Sequence, residues 1–117
     1  MEGTMPHYVI DYFELPSSDP QASGDFFARA FGWGQQSYGP SYMEIHDAGV
    51  LGGLSSDEAE SSSLPVVGIR TDDIAAAERA VRAAGGEITR PAYAYPGGMR
   101  FFFRVPGGAE MLVYRPD

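Results

Sequence analysis

The chain has no cysteine, and that one absence removes disulfide staples, thiolate nucleophiles and cysteine-ligated zinc together. Long hydrophobic runs are missing as well, since the apolar stretches are far shorter than the ~20 residues a helix needs to cross a bilayer. Positive charge is scarce. Eight Lys and Arg stand against sixteen Asp and Glu, a formal net charge of −8, which repels nucleic-acid phosphates and anionic membranes instead of collecting on them. The same excess would attract cationic ligands over distance, although acidic surfaces also serve solubility alone. Met1 to His7 carry Glu2 and no basic, apolar leader, so no secretory signal is read there and a cytoplasmic protein is expected. Glycine-rich phosphate loops, nucleophile elbows and His-x-x-x-His pairs are also lacking.

What is present fits one folded domain spanning residues 1–117. The composition is 44% hydrophobic and 13% aromatic over 117 residues, enough for a real core and too little for two independent ones. Tyr8 to Leu15 is rich in β-branched and aromatic residues and stops at Pro16-Ser17-Ser18-Asp19-Pro20. That stop also starts a helix, with Asp19 as N-cap and Pro20 at the first helical position, where its missing N–H costs nothing. Phe26, Phe27, Ala30 and Phe31 recur at helical spacing as an apolar stripe, and Gly32 ends it. Three strand-like pieces follow, at 35–38, 42–46 and 50–54, with Gly39-Pro40 and Asp47-Ala48-Gly49 as turns.

The stretch 55–63, SSDEAESSS, is acidic, serine-rich and free of large apolar residues, which reads as a solvated linker. Beyond it the pattern repeats. Val66 to Thr71 reads as a strand, Asp73 as an N-cap, and Ile74, Ala77, Val81 and Ala84 as a helical stripe ending at Gly85-Gly86. Strands are expected at 87–90, 100–105 and 110–114, with Pro96-Gly97-Gly98 and Pro106-Gly107-Gly108 as turns. The halves superpose at an offset of 54 residues, which puts Tyr12 on Val66, Asp19 on Asp73, Ala30 on Ala84 and Gly32 on Gly86. Module one is read over 7–54 and module two over 64–116. Neither could bury its sheet alone.

The strings themselves carry a resemblance. Phe13-Glu14-Leu15-Pro16-Ser17-Ser18-Asp19, with the helix end Phe26-Phe27-Ala28-Arg29-Ala30-Phe31-Gly32-Trp33, resembles the opening of the glyoxalase/bleomycin-resistance/extradiol-dioxygenase (vicinal oxygen chelate) superfamily. Gly68-Ile69-Arg70-Thr71-Asp72-Asp73, Gly85-Gly86 and Val105-Pro106-Gly107-Gly108-Ala109-Glu110 resemble its second module, so the likeness runs from Tyr8 to Pro116. It implies an α+β fold in which two tandem βαβββ modules form a curved mixed sheet around a cavity, with helices on the outer face. It also implies a homodimer, because modules of this superfamily often complete their cavity with a second chain.

Metal-dependent members place His or Glu ligands on the first and last strands of each module. The matching positions here are Tyr12, Val66 and Leu112, with Gly52 or Gly53 as the fourth. None offers an imidazole or carboxylate, and a catalytic divalent metal usually needs three protein ligands. A small register shift would bring Glu110 to the last-strand position as a lone ligand. No metal and no cofactor are therefore expected.

Strand alternation sorts the remaining candidates. If Phe13, Leu15, Met43, Ile45, Phe101 and Phe103 face the helices, then Tyr12, Glu14, Tyr42, Glu44 and His46 face the cavity in module one. Gly68, Arg70, Arg100, Phe102, Arg104, Glu110, Leu112 and Tyr114 face it in module two. Aromatic faces, a few charges and glycines suit a small organic ligand, cationic or aromatic; the same residues would also serve as filling between modules. Glu44 and His46, at i and i+2 within roughly 7 Å, resemble an acid/base pair, although a histidine beside a turn is commonly just solvated. His7 is expected to be an exposed terminal residue.

Three readings follow. The first is a metal-independent binding protein for a small molecule, by analogy with drug sequestration in the bleomycin-resistance branch. The second is an enzyme of the superfamily, a lyase, isomerase, hydrolase or dioxygenase type, using Glu44, His46, Glu14 or Glu110, with or without a metal at a displaced site. The third is an accessory subunit whose sheet edges pair with another protein.

Overall fold

The computed structural model describes residues 8–59 and 61–117; His7 lies outside them. Strand, helix and three strands occur twice: β1 (Val9–Pro16), α1 (Pro20–Phe31), β2 (Gly34–Ser37), β3 (Tyr42–His46) and β4 (Leu51–Ser55), then β5 (Val66–Arg70), α2 (Ile74–Ala83), β6 (Glu87–Tyr95), β7 (Gly98–Arg104) and β8 (Glu110–Pro116). The duplication extends to the capping atoms. Asp19 Oδ1 accepts from the Ala22 amide, and Asp73 Oδ1 from the Ala76 amide, each at 3.0 Å, which satisfies one orphan donor of each first turn. The C-terminal ends differ. Gly32 closes α1 in the left-handed conformation at φ 74°, whereas in the second copy that conformation falls on Gly85, φ 94°, one residue before the position expected from the offset. Gly86 then donates to the Val81 carbonyl at 2.9 Å and Gly85 to that of Arg82 at 3.1 Å, the double closure of a Schellman end.

Two compact units emerge, one of residues 11–66 and the other of residues 67–117 with the first described residues, through Ile10. In the first, the strands lie in the order β2-β3-β4-β1, with β1 parallel to β4 and the other pairs antiparallel. Met43, Ile45 and Leu54 are buried together, with Phe13, Leu15, Phe27 and Trp33 packed against them. The apolar stripe of α1 is only partly used: Phe27 joins this core, while Phe26 and Phe31 are 53% and 61% exposed. The helix meets its sheet through Pro20 and Gly24 instead, so the buried face is rotated away from Phe26, Ala30 and Phe31. The expected linker is also not solvated throughout, because Ser55 ends β4, paired with Pro16, and both Ser55 and Ser61 are buried.

The second unit repeats the arrangement as β5-β8-β7-β6, with β5 parallel to β8. Ala77, Phe101, Phe103 and Val113 form its core beneath Ile74 and Val81. Ala84, expected in the stripe, is the exposed cap residue. The largest departure from expectation is β6, which runs to Tyr95 instead of stopping near Arg90. Register shifts lie between Ile88 and Arg90 and between Arg90 and Tyr93, and they absorb Pro91, which cannot donate to a ladder and so reads as a strand end. Among the described residues no helix is long and apolar enough to cross a membrane.

Candidate functional site

In the first module the register lines up Glu14, Gly53, Glu44 and Gln36 across four strands, with Pro16, Ser55 and Tyr42 in the next row. Tyr12 and Tyr42 reach toward each other over Gly53. Their hydroxyls are 2.8 Å apart, and the Tyr12 hydroxyl donates to Glu14 Oε1 at 2.9 Å. A phenol has one proton to give, so Tyr42 is the donor to Tyr12. A methyl group on Gly53 would collide with the hydroxyl oxygens of both Tyr42 and Tyr12, so only glycine lets the two rings close there. Burial pushes the Tyr12 phenol far up, helped by the Glu14 carboxyl and by Tyr42, and it stays a neutral donor. Beside this cluster Glu44 Oε1 lies 3.0 Å from His46 Nε2, with 43% of the His46 side chain exposed, and the Tyr38 hydroxyl is 3.5 Å from the same oxygen.

The positions that the resemblance assigns to metal ligands do not suit one here. Tyr12 is a buried neutral phenol engaged with Glu14 and Tyr42, Gly53 has no side chain and no room for one, Val66 is apolar, and Leu112 is completely buried. Among the described residues no group of three His, Cys, Asp or Glu could enclose a metal ion. Glu110, the displaced candidate, accepts from Thr89 Oγ1 at 2.6 Å.

The second module carries the opposite chemistry in the same frame. Arg70, Tyr114, Arg100 and Tyr93 form one row across four strands, and Gly68, Leu112, Phe102 and Arg90 the next. Arg100 is buried, and its Nε donates to the Tyr93 hydroxyl at 2.7 Å. Its guanidinium carbon lies 5.1 Å from the Tyr95 ring centre, 5.2 Å from Phe102 and 5.7 Å from Tyr93. Arg90 sits 4.8 Å from Phe102 and 5.7 Å from Tyr93, and its Nη1 is 3.4 Å from the Tyr93 hydroxyl. Such distances are those of cation–π stacking. Arg104, expected on the same face, lies at its rim: its Nε is 3.6 Å from Glu87 and its Nη1 donates to the Gly108 carbonyl. Arg90, Tyr93 and Tyr95 escaped the sequence reading because Pro91 hid the second half of β6. The alternation Tyr93-Ala94-Tyr95 was the available signal. At the end of β5 and β8 the same unit has an open cleft of about 480 Å³, lined by Val9, Arg70, Thr71, Asp72, Arg115 and Pro116.

Comparison with known proteins accounts for this frame. The solved chain of the NAD-dependent benzaldehyde dehydrogenase from Legionella pneumophila is similar at a TM-score of 0.77 and 12% identity, over 91% of this chain and 98% of that one. Methylmalonyl-CoA epimerase from Mycobacterium tuberculosis gives 0.66 and 14%, over 92% and 87%. The Mn(II)-bound glyoxalase from Novosphingobium aromaticivorans gives 0.64 and 22%, over 91% of this chain but 38% of its own. At these identities the likeness is one of fold. No curated protein sequence matches the chain. The family model of the Glyoxalase/Bleomycin resistance protein/Dioxygenase superfamily matches residues 9–112, and with its strand–helix–three-strand unit present twice, the chain belongs to that superfamily.

Proposed function

We infer that this domain binds a small organic molecule without a divalent metal, as a binding protein and not a metalloenzyme. The observation that carries the reading is the meeting of the Tyr12 and Tyr42 hydroxyls over Gly53. They occupy the space that a ligand side chain on β4 would need, and the burial that keeps Tyr12 neutral also makes it a poor ligand for a cation. Aromatic rings and arginines in the second module supply contact area and orientation for an organic ligand.

A direct test is needed, because the similar Novosphingobium protein is Mn(II)-bound. Protein grown with added Mn²⁺, Zn²⁺, Ni²⁺ and Fe²⁺ is analysed for metal content and followed by thermal unfolding. The expectation is no stoichiometric metal and no metal-induced rise in melting temperature, against a rise of several degrees with an organic ligand that binds the folded state. One metal per chain would overturn the reading.

The Glu44–His46 pair favours a second reading, an acid/base lyase or isomerase. A carboxylate 3.0 Å from Nε2 can orient an imidazole for proton transfer. That reading predicts turnover that His46→Ala abolishes. A homodimer in the cytoplasm remains the expected setting, to be checked by light scattering.

A further inference from the structure

The net charge of −8 is concentrated in one module. Residues 11–66 carry nine acidic residues and one arginine, whereas residues 67–117 carry six acidic residues and seven arginines. The lone arginine, Arg29, stands in the last turn of α1. Met43 and Ile45 face the helix side of β3, so Tyr42, Glu44 and His46 point from the opposite face. No lysine or arginine of residues 11–66 shares that face. On it the Tyr38 and Tyr42 rings stand 6.3 Å apart at an interplanar angle of 46°, an open V with Tyr38 at its exposed end. The Tyr38 hydroxyl and His46 Nε2 both gather on Glu44 Oε1, at 3.5 and 3.0 Å, and Glu44 Oε2 has no partner among the described residues. The edge strand β2 sets exposed Gln36 beside Glu44 and Gly34 beside His46, so no large apolar side chain covers the carboxylate from that side.

We propose that Glu44, with the rings of Tyr38 and Tyr42, binds the ammonium group of a small organic cation. The proposal rests on the metal-free binding function inferred above and names the ligand class that the first module selects. A protonated amine needs an acceptor for its N–H and cover for the carbon beside it. Glu44 Oε2 supplies the acceptor through a charge-assisted bond, and tyrosine faces attract a cation while covering its alkyl part. One carboxylate and two rings are enough for an ammonium ion, whereas a catalytic divalent metal usually takes three protein ligands. His46 and Tyr38 act as positioning residues, because their contacts with Oε1 fix how the carboxylate is turned. The remaining acids of the module draw cations toward this face and oppose an anion. Half-buried Tyr42 and Glu44 and exposed Tyr38 are within reach of such a ligand.

The test uses three probes of matched shape, 2-naphthylmethylammonium, 2-naphthylmethanol and 2-naphthoate, each titrated into the full chain by calorimetry and by NMR. The ammonium probe is expected to bind about tenfold or more tightly than the neutral alcohol, because its contact with Glu44 is charge-assisted, and its affinity should fall with added salt. Naphthoate should bind more weakly than either. Glu44→Gln should weaken the ammonium probe by about tenfold and leave the alcohol within about twofold. Tyr38→Leu, at an exposed position, should weaken the ammonium probe by about two- to fivefold. Amide shifts in the unsubstituted protein give a readout independent of any variant's folding, and they should cluster on 36–46. Absence of ammonium binding, equal binding of the ammonium and the alcohol, tighter binding of naphthoate, or shifts centred outside 36–46 would overturn the proposal. Any of these without metal uptake would refute only the ligand class and leave the metal-free function standing. Metal uptake would refute that function, and the proposal with it.

Discussion

The two modules answer one structural question in opposite ways. Where the first has Glu14, Gly53 and Glu44 in register, the second has Gly68, Leu112 and Phe102 at the corresponding strand positions; where the first has Pro16, Ser55 and Tyr42, the second has Arg70, Tyr114 and Arg100. One face is closed by phenol hydroxyls sharing a proton chain with a carboxyl, the other by guanidiniums laid on rings. A duplicated backbone thus leaves the chemistry of each face free, because the helix side alone has to stay apolar for the unit to fold. The Phe13, Met43, Ile45 set and the Phe101, Phe103, Val113 set keep that side alike in both copies.

The contrast can be broken most strongly at Phe102, which is 2% exposed and lies under both Arg90 and Arg100. Phe102→Ala should cost about 3–5 kcal/mol in urea unfolding. Phe102→Leu, which keeps the volume and loses the π face, should cost about 1–2 kcal/mol. A nearly neutral Phe102→Leu beside a costly Phe102→Ala would show that only packing matters there.

Next in size is Gly53→Ala, which drives a methyl group into the Tyr12 and Tyr42 hydroxyls. A loss of about 1–3 kcal/mol in denaturant unfolding is expected, and a neutral result would mean that the hydroxyl pair opens freely.

Tyr12→Phe should cost about 1–2 kcal/mol near neutral pH, with a distinctive pH signature. The folded-state phenol is raised above its ordinary value of 10.0, so the unfolded chain loses this proton first. Stability from this group is complete below about pH 10 and falls as pH rises beyond it, by up to about 1.4 kcal/mol per pH unit. Unfolding curves between pH 9 and 11 should therefore be shallower in pH for Tyr12→Phe than for the wild type. Parallel curves would contradict the burial argument.

The smallest effect is expected at the surface of the first module. Asp25 Oδ1 accepts from Gln35 and Gln21, each at 2.9 Å, and these bonds, Gln35's first, hold its carboxyl below the ordinary 3.8. The stabilisation they bring is present above that value and is lost as pH falls through the lowered one. Gln35→Ala should let the Asp25 titration, followed by NMR, move back up toward 3.8.

Much of the frame was legible in the chain. Asp19 and Asp73 announce helix starts because a short acidic side chain after a strand can satisfy the first-turn amides wherever it occurs, and the repeat at 54 residues announces the second copy. Strand alternation likewise separated Phe101 and Phe103 from Arg100 and Phe102, since a pleat sends neighbours to opposite faces without reference to the rest of the molecule. Elsewhere local rules misled. Pro91 hid half of β6 because a bulge, a matter between two strands, is what accommodates it. The stripe of α1 overstated burial because helical spacing defines a face without saying where the sheet will press on it.

By itself, then, the sequence determined the duplicated strand and helix units, their caps, the side of each strand that had to be apolar, and the want of imidazole or carboxylate at the expected metal positions. Only the tertiary structure decided that Tyr12 and Tyr42 close over Gly53, and that Arg90 and Arg100 converge on Phe102. Those contacts depend on register and bulges between strands distant in sequence, and no local pattern encodes which residue will stand opposite which.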